Sequence, residues 1–145
     1  MTLWKWVEAG VLTALAHQAV RAASSMLFLG PFYMERGQLW RVPGDRTFAW
    51  LPLVYLFLGF SLAYVYRRVR VAIGGCGWRS GLRFGFGVWI IAAVPYQGAR
   101  FVLMPIPGGM ALTEVVGDLV AYLISGLILA RLLEDKVPAP VALPE

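Results

Sequence analysis

Four long apolar runs dominate the chain, separated by short stretches in which charge, glycine or proline collects. A membrane-crossing helix needs about 20 mostly apolar residues at about 1.5 Å of rise each. The pattern predicts such helices over residues 3–30, 48–66, 81–104 and 111–133. The first is expected to stop at Pro31. The second carries Pro52 in its first turn, where a missing N–H is harmless. Pro105 and Pro107 stop the third. Short connections imply antiparallel neighbours, so the third and fourth helices are expected to form a hairpin. Residues 31–47 mix Phe32, Tyr33 and Trp40 with charges and a Pro43-Gly44-Asp45 turn, which reads as a loop lying against lipid headgroups. Residues 137–145 hold three prolines and read as an irregular tail.

Composition sharpens this picture. Of 145 residues, 59% are apolar and 14% charged, against about 45–50% and about 25% in an ordinary soluble domain. Mean hydropathy is +0.68. A soluble fold of this size leaves too much surface in water to hide that much hydrocarbon. The pattern therefore predicts an all-α integral membrane four-helix bundle, up-down-up-down, in one domain over residues 1–136. The first run resembles a signal peptide only superficially. Glu8, His17 and Arg21 interrupt it and it continues to Phe28 and Leu29, so it reads as a retained transmembrane helix.

The net charge of +5 does not point to nucleic acid, because the basic residues border the hydrophobic runs. Arg67, Arg68, Arg70, Arg79 and Arg83 surround the second-to-third connection without an acid among them. Lys5, Arg131 and Lys136 belong to the same side. Arg36, Arg41 and Arg46 lie opposite. The positive-inside rule puts both termini in the cytoplasm of a bacterial inner (cytoplasmic) membrane. Trp4, Trp6, Tyr66 and Trp78 would form the inner aromatic belt, and Phe32, Trp40, Phe48 and Trp50 the outer one. A single cysteine, Cys76, and a single histidine, His17, exclude an intramolecular disulfide, a Cys/His zinc site and a bis-histidine haem site. Cys76 reads as a bystander, with juxtamembrane lipidation the alternative.

Ionisable groups within spans are costly and face the bundle interior. Helix one offers His17 and Arg21, four apart and so on one face, with Gly10, Thr13 and Ser24. Helix three offers Gln97 and Arg100, three apart. Helix four offers Glu114 and Asp118, four apart. The second helix has no ionisable group between Phe48 and Tyr66 and is expected to be the most lipid-exposed. Counted from the span centres, Arg21 and Gln97 lie about 6 Å outward and Asp118 about 5 Å, while Arg100 and Glu114 both lie about 10 Å outward. The spacing predicts one buried cluster of Arg21, Arg100, Glu114 and Asp118, with His17 and Gln97 below or beside it. The cluster has two readings: charge pairs that lock helices 1, 3 and 4 in register, or a site for a proton, an ion or a polar headgroup.

Small residues supply the packing surfaces. Gly81 and Gly85 open the third helix four residues apart. Gly117, Ala121 and Ser125 form a small-residue stripe on the fourth. Pro95 is expected to free a carbonyl near Ile91 and kink the third helix beside the cluster. No catalytic set emerges, since Ser24 lies two turns from the only histidine and nothing marks a substrate pocket. A haem with one axial histidine, or a quinone against Tyr96 and His17, stays open, but no metal or cofactor is expected.

Gly30-Pro-Phe-Tyr33 after helix one, Gly81-Leu-Arg-Phe-Gly85 opening helix three, and Thr113-Glu-Val-Val-Gly-Asp118 leading into Gly126 give the chain its likeness. It resembles small uncharacterised bacterial four-helix inner-membrane proteins. The resemblance implies a fold and no activity, and Arg21 and Arg100 do not map onto its pattern. The chain is thus expected to be a non-enzymatic membrane protein, an accessory or interaction subunit of a larger complex. Its partners would be the bilayer and other membrane subunits or a second copy. The alternative is a small transporter or channel-like protein that binds a proton, ion or small anion at the cluster.

Overall fold

Proline shapes two of the four helices. In the computed structural model, which describes residues 3–35, 45–74 and 76–133, helix α1 consists of Leu3–Ser24, a π-helical turn Ser25–Leu29 and Gly30–Glu35. Helix α3 consists of Trp78–Val88, a π-helical turn Trp89–Ala93 and Val94–Leu103. Each π turn ends two residues before a proline, Pro31 in α1 and Pro95 in α3. Proline has no N–H for the carbonyl four residues back, and its ring crowds that carbonyl. One wider turn relieves the crowding and lets neighbouring groups bond at longer spacing. Pro31 therefore does not stop α1, as the sequence suggested it would; the helix runs on to Glu35.

Helix α2 begins as a tight 3₁₀ turn, Arg46–Trp50, and continues as Leu51–Ile73. The Asp45 carboxylate caps it, accepting from the Thr47 backbone N–H and hydroxyl, both at 2.8 Å. Helix α4 is unbroken from Gly108 to Leu133. The described residues contain these four helices and no strand. The reading of residues 36–44 and 137–145 falls outside them, as do Arg36, Arg41 and Lys136.

Helices α2, α3 and α4 are each long and apolar enough to cross a membrane. Helix α1 is long enough but falls short in apolarity, because Lys5, Glu8, His17, Gln18 and Arg21 lie along it.

Helix α1 packs against α2 on one side and α4 on the other, and the first segment of α3 packs along α4. Two backbone crossings without side chains make this possible. At the α1–α2 crossing, a Cβ on Gly59 would collide with the Gly10 carbonyl and with Ala14. At the α3–α4 crossing, a Cβ on Gly126 would collide with the Gly81 carbonyl and a Cβ on Gly85 with the Tyr122 carbonyl. Gly81 and Gly85 thus seat α3 on the backbone of α4. The stripe of Gly117, Ala121 and Ser125 serves the other side of α4: Gly117 lies under Ser24 and Arg21 of α1.

The interior is layered. At the end that holds the α2–α3 connection, Ala9, Leu62, Ala63, Tyr66, Phe84, Leu129, Ala130 and Leu133 form an apolar core. Ser80 ties it off, donating to the Gly77 carbonyl at 2.9 Å and pairing with the Tyr66 hydroxyl at 2.7 Å. At the other end Leu29, Ile106 and Met110 form a smaller plug. The polar residues lie between. Helix α2, expected to be the most lipid-exposed, is not the least covered one: 17% of its most apolar stretch is buried, against 11% for α3 and 33% for α4. Gly59, Leu62, Ala63 and Tyr66 turn α2 into the bundle, whereas the π turn and the segment after it leave most of α3 outside.

Candidate functional site

Between the two apolar layers, helices α1, α3 and α4 bring Arg21, Gln97, Arg100, Glu114 and Asp118 together. Arg21 pairs with Asp118, Nη1 to Oδ1 at 3.1 Å, and also donates to the Glu114 carbonyl at 3.3 Å. Arg100 pairs with the Glu114 carboxylate. Gln97 joins the two pairs: its Nε2 donates to Asp118 Oδ2 at 2.7 Å and its Oε1 accepts from Arg100 at 2.9 Å. The bonds close a circuit from Arg21 through Asp118, Gln97, Arg100 and Glu114 back to Arg21. Glu114 is 1% exposed, Gln97 2% and Asp118 7%.

Burying one charge in an apolar medium costs several kcal/mol, and a buried pair recovers that only with good geometry and further hydrogen bonds. Here each carboxylate faces a guanidinium, and an amide fills the gap between the pairs. The local reason is helical spacing. Glu114 and Asp118, four apart, stand one above the other on α4, and Gln97 and Arg100, three apart, do so on α3.

His17 lies one turn from Arg21 but outside this circuit. Its Nδ1 pairs with Ser125 Oγ at 3.3 Å, and its ring packs edge-on against Tyr122 with centroids 4.8 Å apart. Tyr55 of α2 covers another side of the ring at 5.9 Å. Ser125 is therefore both a small packing residue and the partner of the histidine. Among the described residues, no group of three or more His, Cys, Asp or Glu side chains is placed to hold a metal ion.

One turn further along α1 from His17, the Thr13 hydroxyl is fully buried and has no hydrogen-bond partner among the described residues. A buried polar group without a partner costs about 1–3 kcal/mol. Thr13→Val keeps the shape and removes the hydroxyl, so it is expected to raise unfolding stability by about 1 kcal/mol. Equilibrium unfolding in mixed micelles measures this, and a loss of similar size would mean that the hydroxyl is bonded after all.

Beside the polar circuit, a groove of about 480 Å³ separates α2 from the second half of α3. His17, Arg21, Gln97 and Asp118 form its floor; Val54 and Tyr55 of α2 and Tyr96 of α3 belong to its walls. It exists because α2 meets α3 mainly through Trp78–Val88, before the π turn. From the turn onward α3 leans on α4: Trp89, the first residue of the turn, donates from Nε1 to the Val115 carbonyl at 2.9 Å.

The sequence pattern did not single out Tyr55 or Tyr122. Tyr122 follows Asp118 by one turn and shares its face. No local signal marks Tyr55, whose neighbour is decided by how α2 crosses α1. No protein-family model, curated protein or solved structure matches the chain.

Proposed function

We propose that this chain is a multi-pass protein of a bacterial inner membrane, with both termini cytoplasmic, that serves as a non-enzymatic interaction subunit of a membrane complex. The observation that supports this reading is the closed circuit of charges. Arg21, Arg100, Glu114 and Asp118 neutralise one another across three helices, which fixes helix register and leaves no net interior charge to bind or move an ion. Large apolar side chains face outward instead, among them Leu15, Phe57, Ile91, Val102 and Leu112. Such faces suit lipid and neighbouring helices. The basic residues around the α2–α3 connection favour the cytoplasmic side.

A second reading, a small transporter, draws on the groove, because Arg21 and Asp118 reach its floor. One set of measurements separates the two. Gentle extraction from native membranes followed by mass identification should return the same membrane partner in fixed ratio. Asp118→Asn should lower the amount of assembled complex, and liposomes holding the purified protein should show no ion or proton flux. Flux that disappears in Asp118→Asn while the protein stays folded would reverse the order. Cys76, free and exposed, reports topology in the same material: a membrane-impermeant maleimide should label it in inside-out vesicles and not in intact spheroplasts.

A further inference from the structure

The hydrogen-bond arithmetic at His17 decides what the groove beside it accepts. A serine hydroxyl has one hydrogen to donate. Ser125 donates it to the Ala121 carbonyl at 2.7 Å. Toward His17 the Ser125 oxygen is therefore an acceptor, so Nδ1 carries the ring proton. In the neutral imidazole, the other nitrogen, Nε2, is then a lone-pair acceptor. Nε2 has no hydrogen-bond partner among the described residues. His17 lines the groove while Ser125 does not, and Nε2, unlike the Thr13 hydroxyl, is not sealed from the surface, so we infer that Nε2 is the polar atom His17 offers to the groove.

The remaining floor narrows the ligand further. Arg21, Asp118 and Gln97 are already bonded to one another. A charged headgroup would have to break that circuit and strand a buried charge, which costs several kcal/mol. An uncharged group with an O–H does not. Above the floor the groove is mostly apolar, with the exposed Val54 and Phe57 on one wall and Tyr96 on the other. It opens sideways, between two helices apolar enough to span a membrane, so an alkyl chain attached to the head leaves directly into hydrocarbon. Its volume of about 480 Å³ lies in the range of small-molecule sites, about 300–1,000 Å³.

We propose that this groove binds an uncharged membrane amphiphile through its hydroxyl, which donates to His17 Nε2, while its alkyl part passes out between α2 and α3. The assignment rests on the membrane reading above and is independent of the subunit reading. Two sources supply this chemistry: a diacylglycerol, with an aliphatic hydroxyl, and a quinol, with a phenolic one.

The test uses the full chain in lipid nanodiscs and matched probes. The first pair is 1,2-dioctanoylglycerol and its 3-O-methyl ether; the second is decylubiquinol and decylubiquinone. Each pair differs in the hydroxyl donor. Native mass spectrometry or titration calorimetry should show at least one hydroxyl probe bound, and roughly tenfold more tightly than its counterpart, the worth of one net hydrogen bond. The pair that discriminates names the source. His17→Phe should abolish the discrimination while retaining weak binding. Val54→Trp, a change on the exposed face of α2 that fills the groove, should remove binding of both members. Should His17→Phe not fold, Val54→Trp and the matched pairs still decide. Equal binding within both pairs, no binding of either hydroxyl probe, or undiminished binding in Val54→Trp would each overturn the proposal. Resistance to carbonate extraction is scored in parallel. A chain washed off the membrane defeats the membrane reading, whereas an embedded chain that ignores both hydroxyl probes defeats only this one.

Discussion

Glu114→Ala is expected to lower the unfolding free energy by about 3–5 kcal/mol, the largest loss of any single substitution in the polar layer. Glu114 is 1% exposed and is the carboxylate of the circuit that pairs with Arg100. Its removal leaves a guanidinium whose side chain is 15% exposed with Gln97 as its remaining partner in the circuit. The double variant Arg100→Met, Glu114→Leu replaces both charges with apolar groups of similar size. It is expected to recover most of the loss, because the cost of the single change lies in taking the balancing carboxylate from a part-buried guanidinium. Reversible unfolding in mixed micelles of the wild type, Arg100→Met, Glu114→Leu and the double variant, followed by tryptophan fluorescence, yields the four corners of a double-mutant cycle. A double variant as unstable as the single one would show that the pair contributes by more than mutual neutralisation.

Gly126→Ala is expected to cost about 1–3 kcal/mol, although alanine is the better helix former by about 1 kcal/mol. The added methyl would meet the Gly81 carbonyl and the Gly85 nitrogen, both backbone atoms of α3 that no rotamer change can move aside. The helices must separate, and contacts along the whole α3–α4 crossing weaken with them. Gly98→Ala is the internal control. Gly98 lies on α3 with nothing within 4 Å of its would-be Cβ, so the same chemical change there should stabilise by up to about 1 kcal/mol. Opposite signs at the two positions would place the effect in the crossing rather than in helix propensity. Equal signs would remove the close approach as its cause.

Much of the polar layer can be read from spacing alone. An arginine in the first apolar run, Gln97 and Arg100 in the third, and Glu114 and Asp118 in the fourth cannot face hydrocarbon unpaired. Equal depth on antiparallel helices then leaves few ways to join them. Spacing does not reveal which pairs form. That Arg21 takes Asp118 while Arg100 takes Glu114, and that Gln97 links them, depends on the rotation of each helix about its own axis. Pro31 marks a different limit. A proline read as a terminator becomes a wide turn inside a longer helix when packing holds both flanks helical, and Leu29, on the rim of that turn, is completely buried. The greater cover of α2 relative to α3 was equally illegible, because it comes from Gly59 letting α2 approach α1 at backbone distance.

The sequence by itself determined four long helices, all four read as spans where three prove apolar enough to cross a membrane, and a set of interior charges that sums to zero. Those properties follow from hydropathy and from the 3.6-residue period, which are local. The tertiary structure alone decided that α2 and α3 diverge after the π turn, that Ser125 orients the His17 imidazole, and that the divergence opens beside that ring. These depend on where helix backbones touch. Contact there is set by pairs of glycines far apart in the chain, and no local pattern specifies which glycine meets which.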